Sequence, residues 1–141
     1  MEVVVIGGAG AAGTVIIKHL VKASEVSKVI CADIAMERAR RLINKIRSNK
    51  LKIKKVNAAD FTSVLNTLVS ADLVINAARP EWNISIMDAA IEAGTHYMDL
   101  AAEGLYKQLA RDEEWKRANL SALISMGEAP GMSNIFAKYI A

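Results

Sequence analysis

The chain opens with Glu2-Val-Val-Val-Ile6, which runs directly into Gly7-Gly8-Ala9-Gly10-Ala11-Ala12-Gly13. Gly8, Gly10 and Gly13 form a G-x-G-x-x-G turn between an apolar run that reads as a buried strand and a segment that reads as a helix. The chemistry open to such a turn is diphosphate binding: backbone N–H groups at a helix N-terminus face the anion, and the helix dipole favours negative charge there. Gly8 is expected to make the tight turn, Gly10 to admit the pyrophosphate and Gly13 to let the helix pack on the strand. Ala11 and Ala12 then present the amides of the first helical turn. Asp33 follows Gly13 by twenty residues and closes a second apolar run, Val29-Ile30-Cys31-Ala32, with Ile34 just beyond. A carboxylate at that point accepts hydrogen bonds from the adenosine ribose of a dinucleotide and repels a 2′-phosphate, so it favours NAD. NADP stays open, because an arginine nearby accepts that phosphate and a basic stretch begins at Arg38.

Other residues with chemical potential fall between apolar runs. Asp60 follows Ala58-Ala59 and is expected both to cap a helix and to border the cofactor site. Ala77 and Ala78 offer small side chains where the middle of a cofactor would lie. Arg79 and Pro80 then fix the loop, with Arg79 either anchoring a carboxylate or lying on the surface. Asp99 and Glu128 are candidates for acid–base work; Glu128 reads equally well as a plain loop residue. His96 and His19 read as packed or surface residues. Cys31, the single cysteine, reads as a small buried hydrophobe, and no intrachain disulfide can form. No His/Cys/Asp/Glu set has metal-ligand spacing, so no metal is expected.

The elements that position these groups alternate throughout. Strands are predicted at about 2–6, 28–32, 51–56, 72–76, 96–100 and 121–126, and helices at about 11–23, 35–48, 61–69, 82–93, 103–118 and 132–141. Most strands are continuous apolar runs, as in a parallel sheet buried on both faces. Right-handed crossovers then give an α/β fold, a doubly wound parallel Rossmann sheet of about six strands ordered 3-2-1-4-5-6. Ligands of such sheets bind beyond the carboxyl ends of the strands. That edge holds the glycine turn, Asp33, Asp60, Asn76–Pro80, Asp99 with Ala101-Ala102-Glu103, and Gly127–Asn134.

With 141 residues the chain suits one domain, and its 52% hydrophobic content with few aromatics places aliphatic side chains and alanine in the core. No apolar run is long enough to span a bilayer and the N-terminus lacks a signal-peptide pattern, so the default compartment is the cytoplasm. Nine of the eighteen Lys and Arg residues lie between Arg38 and Lys55 with no acid among them. Apolar residues Met36, Ala39, Ile43 and Ile46 form the inner stripe of the same helix, so the charges read as a solvated face. Nucleic-acid binding is not expected, since the stretch lacks aromatics and any known motif.

Three segments give the chain a family resemblance. They are Val5-Ile-Gly-Gly-Ala-Gly-Ala-Ala-Gly13; Val74-Ile-Asn-Ala-Ala-Arg-Pro80, continuing into Ile86–Leu100; and Gly127-Glu-Ala-Pro-Gly-Met-Ser-Asn-Ile135. Together they resemble the saccharopine dehydrogenase family, including its lysine dehydrogenase-like members. The resemblance implies an NAD(P)-binding domain of an amino-acid oxidoreductase that interconverts an amine and an imine by hydride transfer. Family enzymes are longer, with a second domain that supplies most of the pocket for an amino-acid substrate. The expectation is therefore an N-terminal dinucleotide-binding fragment spanning 1–141, or a chain completed by homo-oligomerisation. Two rival readings exist. A short-chain dehydrogenase needs Tyr-x-x-x-Lys, whereas alanine stands four residues after both Tyr97 and Tyr106. A nucleotide-sensing regulatory domain has similar length, glycine turn and acid, but does not require Gly127–Asn134.

Overall fold

The computed structural model describes residues 1–101 and 103–141; Ala102, one of the small residues assigned above to the ligand edge, lies outside the described residues. Six parallel strands form a single sheet: β1 (Glu2–Ile6), β2 (Lys28–Asp33), β3 (Leu51–Lys55), β4 (Leu73–Asn76), β5 (His96–Asp99) and β6 (Ala122–Leu123). Their order is β3-β2-β1-β4-β5-β6, the doubly wound arrangement expected from the sequence. The helices are α1 (Ala11–Leu20), α2 (Met36–Ile46), α3 (Phe61–Leu68), α4 (Asn83–Ala93), α5 (Leu105–Leu109), α6 (Asp112–Arg117) and α7 (Met132–Ile140).

Alternation along β1 divides the interior into two layers. Val3 and Val5 pack with Ile17 of α1, Leu42 of α2, and Val29, Cys31, Leu51 and Ile75. Val4 and Ile6 face the other way, onto Val64 and Leu68 of α3, Ile86 and Met87 of α4, and Tyr97 and Trp115. Strand order reverses between β1 and β4, and the crevice at that switch point is where ligands of such sheets bind. β3 is an edge strand, and its Lys52, Lys54 and Lys55 are exposed. Lysine along an open edge discourages pairing with another chain's strand.

Three predicted elements differ from those observed. The helix expected over 103–118 divides into α5 and α6, separated by Ala110 and Arg111. Asp112, Glu113 and Glu114 form the first turn of α6 and Lys116 and Arg117 its last, a charge distribution that favours a new helix start here. The Arg111 side chain is drawn to Asp88 of α4, donating to both of its carboxylate oxygens. The strand expected over 121–126 keeps only Ala122–Leu123. Past it the backbone turns through a left-handed Ser125 (φ 60°), whose N–H donates to Asp99 Oδ1. The start of α4 is preceded by a short 3-10 turn at Pro80–Trp82, where a continuous helix from 82 was expected. Along α7, Ile135, Phe136, Tyr139 and Ile140 are exposed, as the apolar face read from the sequence suggested.

Asp60 caps α3, accepting from the Ser63 N–H at 3.2 Å, and Gly94 ends α4 in the left-handed conformation. Replacing Asp60 with Ala removes the cap without touching the core. The expected loss is about 1 kcal/mol, measured by urea unfolding, with native circular dichroism retained.

Candidate functional site

The glycine turn joins β1 to α1 at the carboxyl edge of the sheet, and its backbone is held from three sides. The N–H groups of Gly7 and Gly8 both donate to Ala32 O, at 2.8 and 3.3 Å. The Ala9 N–H donates to Asp33 Oδ2 at 2.9 Å, and Asp33 Oδ1 accepts from Ala35 N–H at 2.8 Å. Asp33, only 7% exposed, therefore ties the glycine turn to the start of α2.

The sequence expectation for the turn needs one correction. The left-handed residue is Gly7 (φ 73°), not Gly8. A Cβ on Gly7 would lie 2.8 Å from Ala77 O and from the Ala78 backbone, so the turn and the β4–α4 loop approach as closely as bare backbones allow. Gly10 differs from the other glycines of the turn. It has φ −78° and ψ 178°, which any residue adopts, and a Cβ there would meet only Gly7 O, at 3.1 Å. Its conformation therefore does not require glycine, although a Cβ would be crowded by the Gly7 carbonyl oxygen. No side chain caps α1, and the N–H groups of Ala11, Ala12 and Gly13 have no partner among the described residues. These donors, at the positive end of the helix, form an anion cradle.

Beside the turn a cleft of 110 Å³ is lined by Gly7, Asp33, Ile34, Ala58, Ala78 and Trp82, with Ile6, Ala32, Val56 and Asn57 completing it. Of the residues expected to bind cofactor, Asp33, Ile34 and Ala78 line this cleft. Gly8, Gly10, Ala11, Ala12 and Gly13 belong to the adjoining turn and helix start, and Ala77 backs onto Gly7. Asp60, Arg79 and Pro80 are not part of the lining. Arg79 is largely exposed, pairs with Glu81 at 2.9 Å and lies over the Trp82 ring at 5.8 Å. Trp82 was missed as a site residue because the helical pattern absorbed it; its place two residues after Pro80, on the ligand edge, was the available signal.

The loop carrying Ala77 and Ala78 is fixed by two buried asparagines. Asn76 Oδ1 accepts from Ala78 N–H at 3.0 Å, and Asn76 Nδ2 donates to Asn83 Oδ1 at 2.7 Å. Asn83 Nδ2 donates in turn to Ala101 O at 2.9 Å, linking β4, α4 and the segment after β5.

The two acid–base candidates lie in contrasting places. Asp99 is buried, and both oxygens are engaged by the protein: Oδ2 accepts from Tyr97 Oη at 2.9 Å and Gln108 Nε2 at 2.6 Å, and Oδ1 from Ser125 N–H at 2.6 Å. Those protein donors hold it as a brace inside the domain. Burial, with the Asp99 charge adding to it, pushes the Tyr97 hydroxyl pKa far above its usual range, so it stays a donor. Glu128 is exposed, in a turn closed by a Gly127–Gly131 bridge, and its backbone oxygen accepts from Ser133 N–H. Burial and the neighbouring Asp33 push the Cys31 thiol up to about 12, which leaves it a packing residue against the glycine turn. His96 is exposed and accepts from Ser121 N–H through Nδ1.

A family model described as the saccharopine dehydrogenase NADP binding domain matches residues 3–123. Carboxynorspermidine synthase of Vibrio cholerae is 31% identical over 95% of this chain and 38% of its own length. Carboxyaminopropylagmatine dehydrogenase of Synechocystis sp. is 30% identical over 99% of this chain and 37% of its own. The chain thus spans less than two fifths of these relatives. Among solved structures, apo saccharopine dehydrogenase (L-Glu forming) of Saccharomyces cerevisiae superposes with a TM-score of 0.84 at 18% identity, over 96% of this chain and 29% of that one. Triphenylmethane reductase of Citrobacter sp. in complex with NADP(H) gives 0.65 at 17% identity, over 86% of this chain and 48% of that one. Both likenesses are of fold.

Two glycine substitutions separate folding from binding. Gly7→Ala is expected to cost about 3 kcal/mol in urea unfolding, since strain and overlap act together. Gly10→Val is expected to leave the circular dichroism spectrum and melting cooperativity native while lowering dinucleotide affinity at least ~100-fold. Calorimetric titration of the folded variant checks it, and retained binding would remove the cradle from the site.

Proposed function

The chain belongs to the saccharopine dehydrogenase family, matched through its NADP-binding domain, and from that premise we propose that it is the cofactor-binding part of an oxidoreductase acting on a C–N bond. The observation that carries the proposal is the cradle: three helix-start amides without partners among the described residues, beside the bare backbone of Gly10, in a turn held by Asp33. Its donors and shape fit the diphosphate of NAD(P). Bound there, the cofactor supplies a hydride acceptor or donor; the protein orients it and excludes alternative geometries.

In this reading the cleft between Asp33, Ala58 and Trp82 takes the adenosine, and the Ala77–Ala78 backbone directs the rest of the molecule along the β4–α4 loop. The Asp33 carboxylate has remaining lone pairs for a ribose hydroxyl, while its charge works against a 2′-phosphate. NAD is the form this acid favours. The family's description names NADP, and exposed Arg38, at the start of α2, is the cation a 2′-phosphate would require. The substrate class proposed is a carboxylated amine of the amino-acid or polyamine kind, in keeping with the names of the two relatives. In the reductive direction a hydride adds to the carbon of a C=N bond and a proton to its nitrogen. We assign the substrate pocket and the proton donor to polypeptide outside these 141 residues.

Titration of the purified chain with NADH and with NADPH tests the proposal; heat from neither would overturn it. Asp33→Ala sharpens the test. Freeing the Ala9 amide weakens the turn, so affinity for both nucleotides falls. Loss of the negative charge then moves the NADPH-to-NADH preference toward NADPH by about tenfold, ~1.4 kcal/mol. An unchanged ratio would remove Asp33 from contact with the ribose.

A further inference from the structure

A groove of 670 Å³ opens at the sheet edge opposite the glycine turn, where α1 and α2 end. Lys18 lines it from α1, Lys22 from the turn just after α1, Lys45 and Arg47 from the end of α2, and Ser48 and Asn49 from the turn into β3. No carboxylate lines the groove, and none of its four cations forms an ion pair among the described residues. The Ser48 and Asn49 N–H groups also lack partners among the described residues.

Helix dipoles account for Lys18 and Lys45, which sit in the last turns of their helices. At Arg47 the side chain also serves the helix end, its Nε–H bonding a carbonyl of the last turn of α2, but the backbone conformation is unfavourable. This residue follows α2 in the left-handed conformation (φ 53°), where glycine or asparagine is the stable choice. Its Nε donates to Asn44 O at 3.2 Å, which orients the guanidinium and leaves both NH₂ groups without partners among the described residues. The groove therefore combines a strained, pre-oriented guanidinium with three ammonium groups and two free amides, the donor set of a phosphate site.

We propose that this groove is a second anion site, independent of the dinucleotide cleft, for a compact oligophosphate. Its volume suits a small molecule, and its lining offers no aromatic ring on which a nucleic-acid base would stack.

The test is calorimetric titration with inorganic tripolyphosphate at low salt. The Gly10→Val chain serves as the reference, because the glycine turn would otherwise bind the same probe. One equivalent is expected to bind, and adding Arg47→Gly should lower the affinity at least ~tenfold while raising Tm, because glycine relieves the left-handed strain. Lys22→Glu, at an exposed position in the turn after α1, should lower affinity similarly with Tm little changed. Raised Tm with unaltered affinity in the Arg47→Gly protein would reduce the groove to a solvated face. Failure of tripolyphosphate to bind the reference chain would overturn the proposal as well. Equal affinity for a short DNA duplex, displaced by tripolyphosphate, would replace it with a nucleic-acid surface. None of these outcomes depends on whether NADH or NADPH binds the cleft.

Discussion

The Asp33 carboxylate is the interaction on which the candidate site depends. Each of its oxygens accepts one backbone N–H, from Ala9 on one side and Ala35 on the other. A charged acceptor forms stronger hydrogen bonds than a neutral one, and strongly so where water is largely excluded. This clamp joins three things that the chain order keeps apart: the turn after β1, the end of β2 and the start of α2. The Ala32 carbonyl, one residue earlier, takes the amides of Gly7 and Gly8. Two neighbouring residues of β2 thereby hold the turn at three points, and the row of amides at the start of α1 has no partner among the described residues. A turn fixed in this way needs no rearrangement to receive an anion, and that lowers the entropic cost of binding.

A second constraint comes from the other side. Gly7 lies against the backbone of Ala77 and Ala78 with no room for a side chain between them. The position of that loop is set in turn by Asn76 and Asn83, whose amides pass from Ala78 N–H to Ala101 O without leaving the interior. Buried amides impose direction as well as attraction, because each needs a donor and an acceptor correctly placed. The end of β4 and the segment after β5 are thus tied through side chains as well as through the ladder. The adenosine side of the cleft and the segment beyond β5 belong to one bonded framework.

Much of this was legible in the sequence for physical reasons. Strands buried on both faces leave unbroken apolar runs, and a strand running into G-x-G-x-x-G and then a helix, with an acid one strand later, has few other uses. Strand order followed from handedness and the switch-point rule. Less legible were features fixed by partners distant in sequence. At the break between α5 and α6 Arg111 reaches Asp88, 23 positions earlier, a contact that the apolar pattern of the segment does not announce. Gly7 takes the left-handed conformation and also lies against Ala77 and Ala78, and nothing within the motif announces that neighbour. Trp82 was hidden by the helical pattern that follows it, although its ring lines the cleft.

Asp99 shows why an acid at a strand's carboxyl end is a poor guide to chemistry without its partners. The position is right and the face follows from alternation, yet three protein donors surround the carboxylate. Their sources explain the arrangement. Tyr97 lies on the same strand, Gln108 on α5, and Ser125 on the segment leaving β6. Met126 N–H adds a bond to the Asp99 carbonyl. A two-residue edge strand pairs too little backbone to hold that segment by itself. Asp99 supplies the missing anchorage, and next to it Gly127 packs directly on the Leu100 carbonyl. The turn from Gly127 to Asn134 is consequently held on the carboxyl edge of the sheet by a buried carboxylate. Any reactive group presented from that turn depends on the Asp99 brace for its position, just as the anion cradle depends on Asp33.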